Sequence, residues 1–178
     1  VAGGVSEPHG FDLVRFSPAD LGLRQPARIR LSVEVDCGNG RMEERAIHVI
    51  YAAESAIPAR FDGTFHDSID EGSLVIHAGI EVARAGWFVV DANLYDKRDR
   101  PIAWSRFKGE LAEGRQELAL RCFGKVLIDS EGEAPYRLAE LRGARHAPGR
   151  DPDLEPMPPY LPSHRVSDLD LGELSDAE

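Results

Sequence analysis

The sequence predicts an all-β fold, an immunoglobulin-like antiparallel β-sandwich with an extended, proline-rich C-terminal strap. Three observations predict it. Apolar and polar side chains alternate over 29–37, 74–94 and 118–122, the period of two that lays one face of a half-buried strand against a core. Clusters of Gly, Asn, Asp and Pro separate these stretches, as they do between short antiparallel strands. A helical period of apolar residues is nearly absent. A closed barrel is the alternative arrangement of the same strands.

Residues 1–26 form a lead-in, in which 11–16 suits an edge strand and Ser17-Pro18-Ala19-Asp20 a turn or a short helical start. The first strand spans 28–37 and turns inward Ile29, Leu31, Val33, Val35 and Cys37. Gly38-Asn39-Gly40 makes the turn into a return strand over 44–53. Its Ala46, Ile47, Val49, Ile50 and Tyr51 are apolar enough for a strand covered on both faces. Pro58 breaks the run. A short strand over 59–65 follows, then an acidic loop over 66–72.

Residues 73–84 and 86–95 read as the strongest hairpin, turning at Ala85-Gly86. A polar loop over 96–101 leads into a strand over 102–107, and 109–114 is a connector. A long strand over 115–128 carries Gly124 at a bulge or bend. After a loop over 129–135, a last core strand occupies 136–142. The sandwich domain is therefore 27–143.

Composition changes near Ala144. Residues 144–178 hold six of the twelve prolines and eight acidic residues against three arginines. Such a segment cannot bury a core of its own and is expected to run extended. The weak alternation of Val166, Leu169 and Leu171 suits docking as an edge strand.

The chain has 178 residues and a net charge of −10. That balance argues against a nucleic-acid partner, since phosphate binding needs a concentrated positive field. No apolar run approaches the roughly 18 residues that cross a bilayer. The first ten residues lack the basic start and apolar core of a signal peptide. With no initiating Met, the chain reads as a processed or trimmed product whose targeting segment is missing.

Cys37 and Cys122 both fall on inward strand positions. They are read as buried free thiols, an inter-sheet disulfide or a metal pair. The metal reading is the weakest, because no Cys-x-x-Cys or nearby His completes a ligand set. A disulfide would imply an oxidising compartment.

Between 57 and 145 several motifs occur together: Gly72-Ser73-Leu74, Ala85-Gly86-Trp87, Ala92-Asn93-Leu94-Tyr95, Pro101-Ile102-Ala103 and Phe123-Gly124-Lys125. Leu111 and Gly114 form a Leu-x-x-Gly, and Pro135 to Gly143 a Pro-Tyr-x-Leu-x-x-Leu-x-Gly end. In this combination the chain resembles an uncharacterised β-sandwich module of secreted or envelope proteins of Gram-negative, myxobacterial-type bacteria. The tail, with Met157-Pro158-Pro159, is similar to the family's continuation, so the resemblance covers roughly 45–178. Ala134 departs from it, where similar modules carry Gly before Pro-Tyr. The resemblance implies an extracytoplasmic location, in the periplasm, at the outer-membrane surface or secreted. It brings no catalytic residues.

Chemistry-bearing residues are sparse. Asp67, Asp70 and Glu71 are candidate calcium ligands, although their spacing fits no EF-hand. A solvated turn is the better reading of them. No Gly-x-Ser-x-Gly elbow or His-Glu-x-x-His pair occurs among the six histidines. Neither cysteine lies beside a Lys or His that would activate it. No catalytic residue is assigned, and the chain is read as a non-enzyme. Trp87, Tyr95 and Trp104 fall on outward phases of neighbouring strands and are candidates for a platform on which a sugar ring stacks. The favoured expectation is that the lead-in or strap covers them. The sequence thus points to a non-catalytic binding or structural module of a larger protein, with a protein partner or parent-protein domain. A carbohydrate-binding module and an accessory domain of a hydrolase are the alternatives.

Overall fold

In a computed structural model of the chain, residues 17–150, 152–167, 172, 174 and 175 are described. The expected edge strand over 11–16 lies outside them. Two compact units form, Val1–Ala56 and Ile57–Glu178. The expected sandwich range of 27–143 divides between them.

In the first unit a short 3₁₀ turn, Pro18–Leu21, precedes β1 (Ala27–Asp36) and β2 (Met42–Tyr51). These pair antiparallel without a register break, from Ala27 opposite Tyr51 to Asp36 opposite Met42. Gly38, Asn39 and Gly40 all take positive φ, at 83°, 54° and 74°. Glycine adopts that region freely and Asn more readily than most residues. Asp36 Oδ1 accepts from the Gly38 N–H at 2.8 Å, and Arg41 O accepts from the Cys37 N–H at 2.8 Å.

Burial in this ribbon corrects the sequence reading. Residues 44–53 are not covered on both faces: Ile47 is 58% exposed, and Val49, Ile50, Val33 and Val35 are exposed too. Among the described residues the ribbon has two strands and no third. Alternation shows that a segment is a strand; what covers the strand is decided elsewhere.

The second unit is a β-sandwich. Its elements are β3 (Ala59–Asp70), β4 (Ser73–Val82), β5 (Gly86–Tyr95), β6 (Pro101–Leu111), β7 (Gly114–Cys122), α1 (Gly124–Asp129), β8 (Arg137–His146), β9 (Leu154–Pro156) and β10 (His164–Arg165). One sheet has the order β3-β4-β7. The other has the order β10-β8-β5-β6, with β9 also on β8. The inner faces meet in one core, with Leu74, Ile76, Ile80, Leu118 and Leu120 from the first sheet. Phe88, Val90, Leu94, Leu138 and Leu141 come from the second. Each such side chain contributes about 1.5–3 kcal/mol on burial.

Three element expectations change. The 73–95 hairpin is instead an arch between sheets, because β4 pairs with β3 and β7 while β5 pairs with β6 and β8. The Ala83 and Arg84 N–H groups both donate to Pro58 O, at 2.9 and 3.1 Å, and tie the end of β4 to the start of β3. The 115–128 strand ends at Cys122 and is followed by α1, with Leu127 buried. The 66–72 loop is largely strand, since β3 continues to Asp70.

The strap runs antiparallel along the free edge of β8. β9 pairs with Ala144–His146, Tyr160 bridges Leu141, and β10 pairs with Leu138 and Arg137. Met157 N–H donates to Gly143 O at 2.8 Å, Tyr160 N–H to Leu141 O at 2.9 Å and Val166 N–H to Tyr136 O at 3.0 Å. Pro156, Pro158, Pro159 and Pro162 have no N–H to offer a further strand, which suits an outermost edge. Met157 and Val166 reach the core. Tyr160 packs on Phe65 and Phe61 of β3, with ring centroids 5.4 and 6.2 Å apart. His164 stacks on Phe65 at 4.5 Å. The strap thus closes the seam between the β8 edge of one sheet and the β3 edge of the other.

Two polar contacts hold it there. Glu155 is fully buried. Its carboxylate meets Arg145 Nη1 at 2.9 Å, Arg150 Nη1 at 2.9 Å and Arg84 Nη2 at 3.2 Å. Asp67, with its side chain out of solvent, accepts from His164 Nε2 at 2.9 Å and from the Ser167 N–H and hydroxyl at 2.8 and 2.9 Å.

Candidate functional site

The outer face of the β6-β5-β8 sheet carries the exposed Trp87 and Trp104 and the half-buried Tyr95. Registry places Asn93 opposite Trp104 and Tyr95 opposite Arg137. Tyr95 and Trp104 are therefore diagonal neighbours, within reach of each other's side chains. Arg106 lies over the Trp104 ring at 4.5 Å and is fixed by Asp91 at 2.6 Å. Arg137 lies over the Tyr95 ring at 4.7 Å and is fixed by Asp99 at 2.7 Å. Each ring has a guanidinium on one side, and Trp104 stays 55% exposed.

A break in the β5–β8 register between Asp91 and Asn93 brings Glu140 into this group. Glu140 sits at φ 58°, a left-handed conformation that side chains other than Gly rarely hold. Bulges and strained residues of this kind gather where a sheet must re-aim a side chain. Here Glu140 Oε2 accepts from Asn93 Nδ2 at 2.5 Å. It also accepts from the Tyr95 hydroxyl. The hydrogen bond to Glu140, then burial, raise the Tyr95 phenol above its ordinary pKa. The bonds from Asn93 and Tyr95 hold the Glu140 carboxyl below its own.

Beside these residues the strap leaves the sheet face and forms the far wall of an open groove of about 620 Å³. Tyr95, Asp99, Arg137 and Glu140 line the sheet side; Pro159, Leu161 and Ser163 line the strap side. Leu161 is 87% exposed. The groove lies within the size range of ligand sites.

Trp87 does not join this group. It pairs with Glu110, six residues along β5 from Asn93, about 20 Å away at strand spacing. The strap follows the β8 edge instead of crossing this face, so Trp87 remains 47% exposed.

Asp67, Asp70 and Glu71 do not converge. Asp67 pairs opposite Ile76 on the core side of β3 and holds the strap, while Asp70 lies three residues on, on the other side. Asp70 binds Arg121 Nη2 at 2.5 Å, and Glu71 lies 3.8 Å from Arg121 Nη1. The described residues group three possible metal ligands in one place, His66, His77 and Glu117.

Both cysteines are free. Cys37 is not inward-facing: it follows the end of β1 and is exposed. Cys122 is buried in the core, and burial pushes its thiol up to about 12. That thiol is inert at neutral pH.

Ser167, His164 and Asp67 bring a hydroxyl, an imidazole and a carboxylate together. The hydroxyl and the imidazole both bind Asp67, whereas hydrolytic catalysis requires the imidazole between carboxylate and hydroxyl. With Asp67 in the middle, the hydroxyl and the imidazole are each bonded to the carboxylate and not to each other. The cluster fastens the strap.

The sequence named Tyr95 and Trp104 as candidates and did not name Asn93, Arg137 and Glu140, which the fold brings beside them. The only signal for these three is cross-strand registry, which the sequence does not carry.

No family model matches the chain, and no curated protein does either. Among solved structures, a DUF4785 family protein from Legionella pneumophila is similar in fold, with a TM-score of 0.51 and 16% identity. The likeness covers 80% of this chain and 37% of that one, so this chain spans little more than a third of its neighbour's length. The fold is that of an all-β, antiparallel sandwich shared with a protein whose family name denotes a domain of unknown function.

Proposed function

We propose that the chain is a non-catalytic binding module that takes a glycan in the groove between Tyr95, Glu140 and the strap, the glycan continuing past Asn93 onto Trp104 on the sheet face beside the groove. One observation carries this reading. Two rings, the exposed Trp104 and the half-buried Tyr95, stand diagonal to each other beside planar polar groups that are already oriented, Asn93, Glu140, Arg137 and Asp99. A sugar offers apolar C–H faces to rings and pairs of hydroxyls to carboxylate, amide and guanidinium groups. Groups held in place beforehand lose little freedom on binding.

The module is placed outside the cytoplasm, as part of a larger envelope or secreted protein. The motifs of 57–145 support this placement, and cell fractionation that finds the protein in the cytoplasm rejects it.

A glycan array tests the binding reading. The wild type is expected to bind a restricted set of glycans, and Trp104→Ala or Tyr95→Ala to weaken that signal at least tenfold. Trp87→Ala is expected to leave it unchanged, since that ring stands apart. No glycan signal from the wild type, or a signal indifferent to Tyr95 and Trp104, overturns the reading.

A further inference from the structure

On the opposite sheet, three side chains from three strands meet on the outer face. His66 on β3 and His77 on β4 are directly paired across the ladder. Their rings stack, with centroids 4.2 Å apart and planes at 6°. Glu117 on β7 pairs with Gly79, two residues beyond His77, and so stands diagonal to it. Opposite His77 is Ala119, whose small side chain brings no further polar group to the cluster.

The three polar ends turn toward one another. Glu117 Oε1 is 2.9 Å from His66 Nδ1, and Glu117 Oε2 is 3.7 Å from His77 Nδ1. One donor atom from each residue lies within 4.8 Å of the other two. Ligands 2.0–2.2 Å from a tetrahedral zinc stand about 3.3–3.6 Å apart. Small rotations of the exposed His66 and Glu117 side chains and the half-buried His77 close the difference. Nearby cations are engaged elsewhere, Arg115 with Asp62 at 3.1 Å and Arg121 with Asp70.

A solvated surface network is the plain alternative for these groups. Ion pairs this exposed contribute little, about 0–1 kcal/mol, and give no reason for both Nδ1 atoms to address one carboxylate. Two imidazoles and a carboxylate are, by contrast, the donor set that late first-row divalent ions prefer.

We infer that His66, His77 and Glu117 bind one divalent transition-metal ion of the zinc type, with solvent in the remaining positions. The site is independent of the glycan groove, because it lies on the other sheet.

The test uses the full chain, stripped with chelator, at pH 7.5. Zn²⁺ is titrated by calorimetry and Co²⁺ by visible absorption. One ion per chain is expected, bound more tightly than about 100 µM, with Co²⁺ giving the bands of nitrogen and oxygen ligation. Losing one ligand weakens such a site by roughly tenfold or more. His77→Ala and Glu117→Gln, each checked for unchanged circular dichroism, are expected to show at least that loss. His48→Ala, outside the cluster, is expected to bind as the wild type does. Binding weaker than about 100 µM, or tight binding that survives both ligand substitutions, overturns the proposal.

Discussion

Glu155 shows how much one side chain of an acidic tail carries. It is one of eight acidic residues after Ala144, and nothing in its sequence neighbourhood distinguishes it. In the fold it is out of solvent between Arg84, Arg145 and Arg150. Those arginines come from the arch after β4, from β8 and from the turn before the strap. Removing one partner of a buried ion group costs about 3–5 kcal/mol when the others stay desolvated. Here the guanidiniums keep contact with water, so the lower figure applies. Glu155→Ala is expected to cost about 3 kcal/mol and to lower Tm by roughly 10 °C. Thermal unfolding that moves by only a degree or two refutes the clasp. Gly79 is fixed by a similar long-range reason: a Cβ there would lie 2.1 Å from Thr64 Oγ1 and 2.3 Å from Asp62 Oδ1. The bulge of β3 leaves no room for a side chain beneath it.

At the scale of elements, the strap behaves as a strand with prolines in it. Its backbone completes the β8 edge, while Met157, Tyr160 and Val166 fill the seam between sheets. Removing 152–178 is expected to expose Leu138, Leu141 and Phe65, lower Tm and raise binding of a hydrophobic dye. Unchanged unfolding after truncation would mean that the docked strap adds nothing. The cut belongs after His146, because 144–146 are part of β8, even though the compositional change falls at Ala144. Composition marks where the chain becomes proline-rich; hydrogen-bond pairing marks where a strand ends. For the same reason an arch and a hairpin look alike in sequence. Both are two alternating runs around a small residue, and only the identity of the pairing strand separates β4–β5 from a hairpin.

For the whole molecule, the consequential property is its carboxylates. Among the described residues four are held below their ordinary pKa. Asp62 is lowered chiefly by the Thr64 hydroxyl, Glu133 by Lys97 and Glu140 by Asn93. For Asp96, burial pushes upward, but hydrogen bonds from the Arg100 and Arg98 backbones and the Arg100 side chain outweigh it. A carboxyl whose folded pKa is depressed binds its proton more readily in the unfolded chain. Its stabilisation is complete above the unfolded pKa of about 4 and is lost as pH falls through the folded value. Denaturant midpoints are therefore expected to hold between pH 7 and 5 and to fall steadily below about pH 4. A midpoint at pH 3 equal to that at pH 6 contradicts this. The four carboxylates sit in the β3 bulge, the loop after β5, the loop before β8 and the β5–β8 bulge, so acid loosens the turns and bulges together.

By itself the sequence determined that this chain is made of antiparallel strands, because a period of two is written in neighbouring residues and needs no partner to be read. It also put Tyr95 and Trp104 on the outward phase of their strands and marked the extended character of the tail, both of which are local properties. Only the tertiary structure decided which strands share a sheet, which apolar faces are covered, and which distant polar groups meet. Glu140 beside Tyr95, Glu155 among three arginines, and His66 with His77 and Glu117 all arise from registry between strands. Registry is set by the packing of the whole core, and no window of sequence contains it.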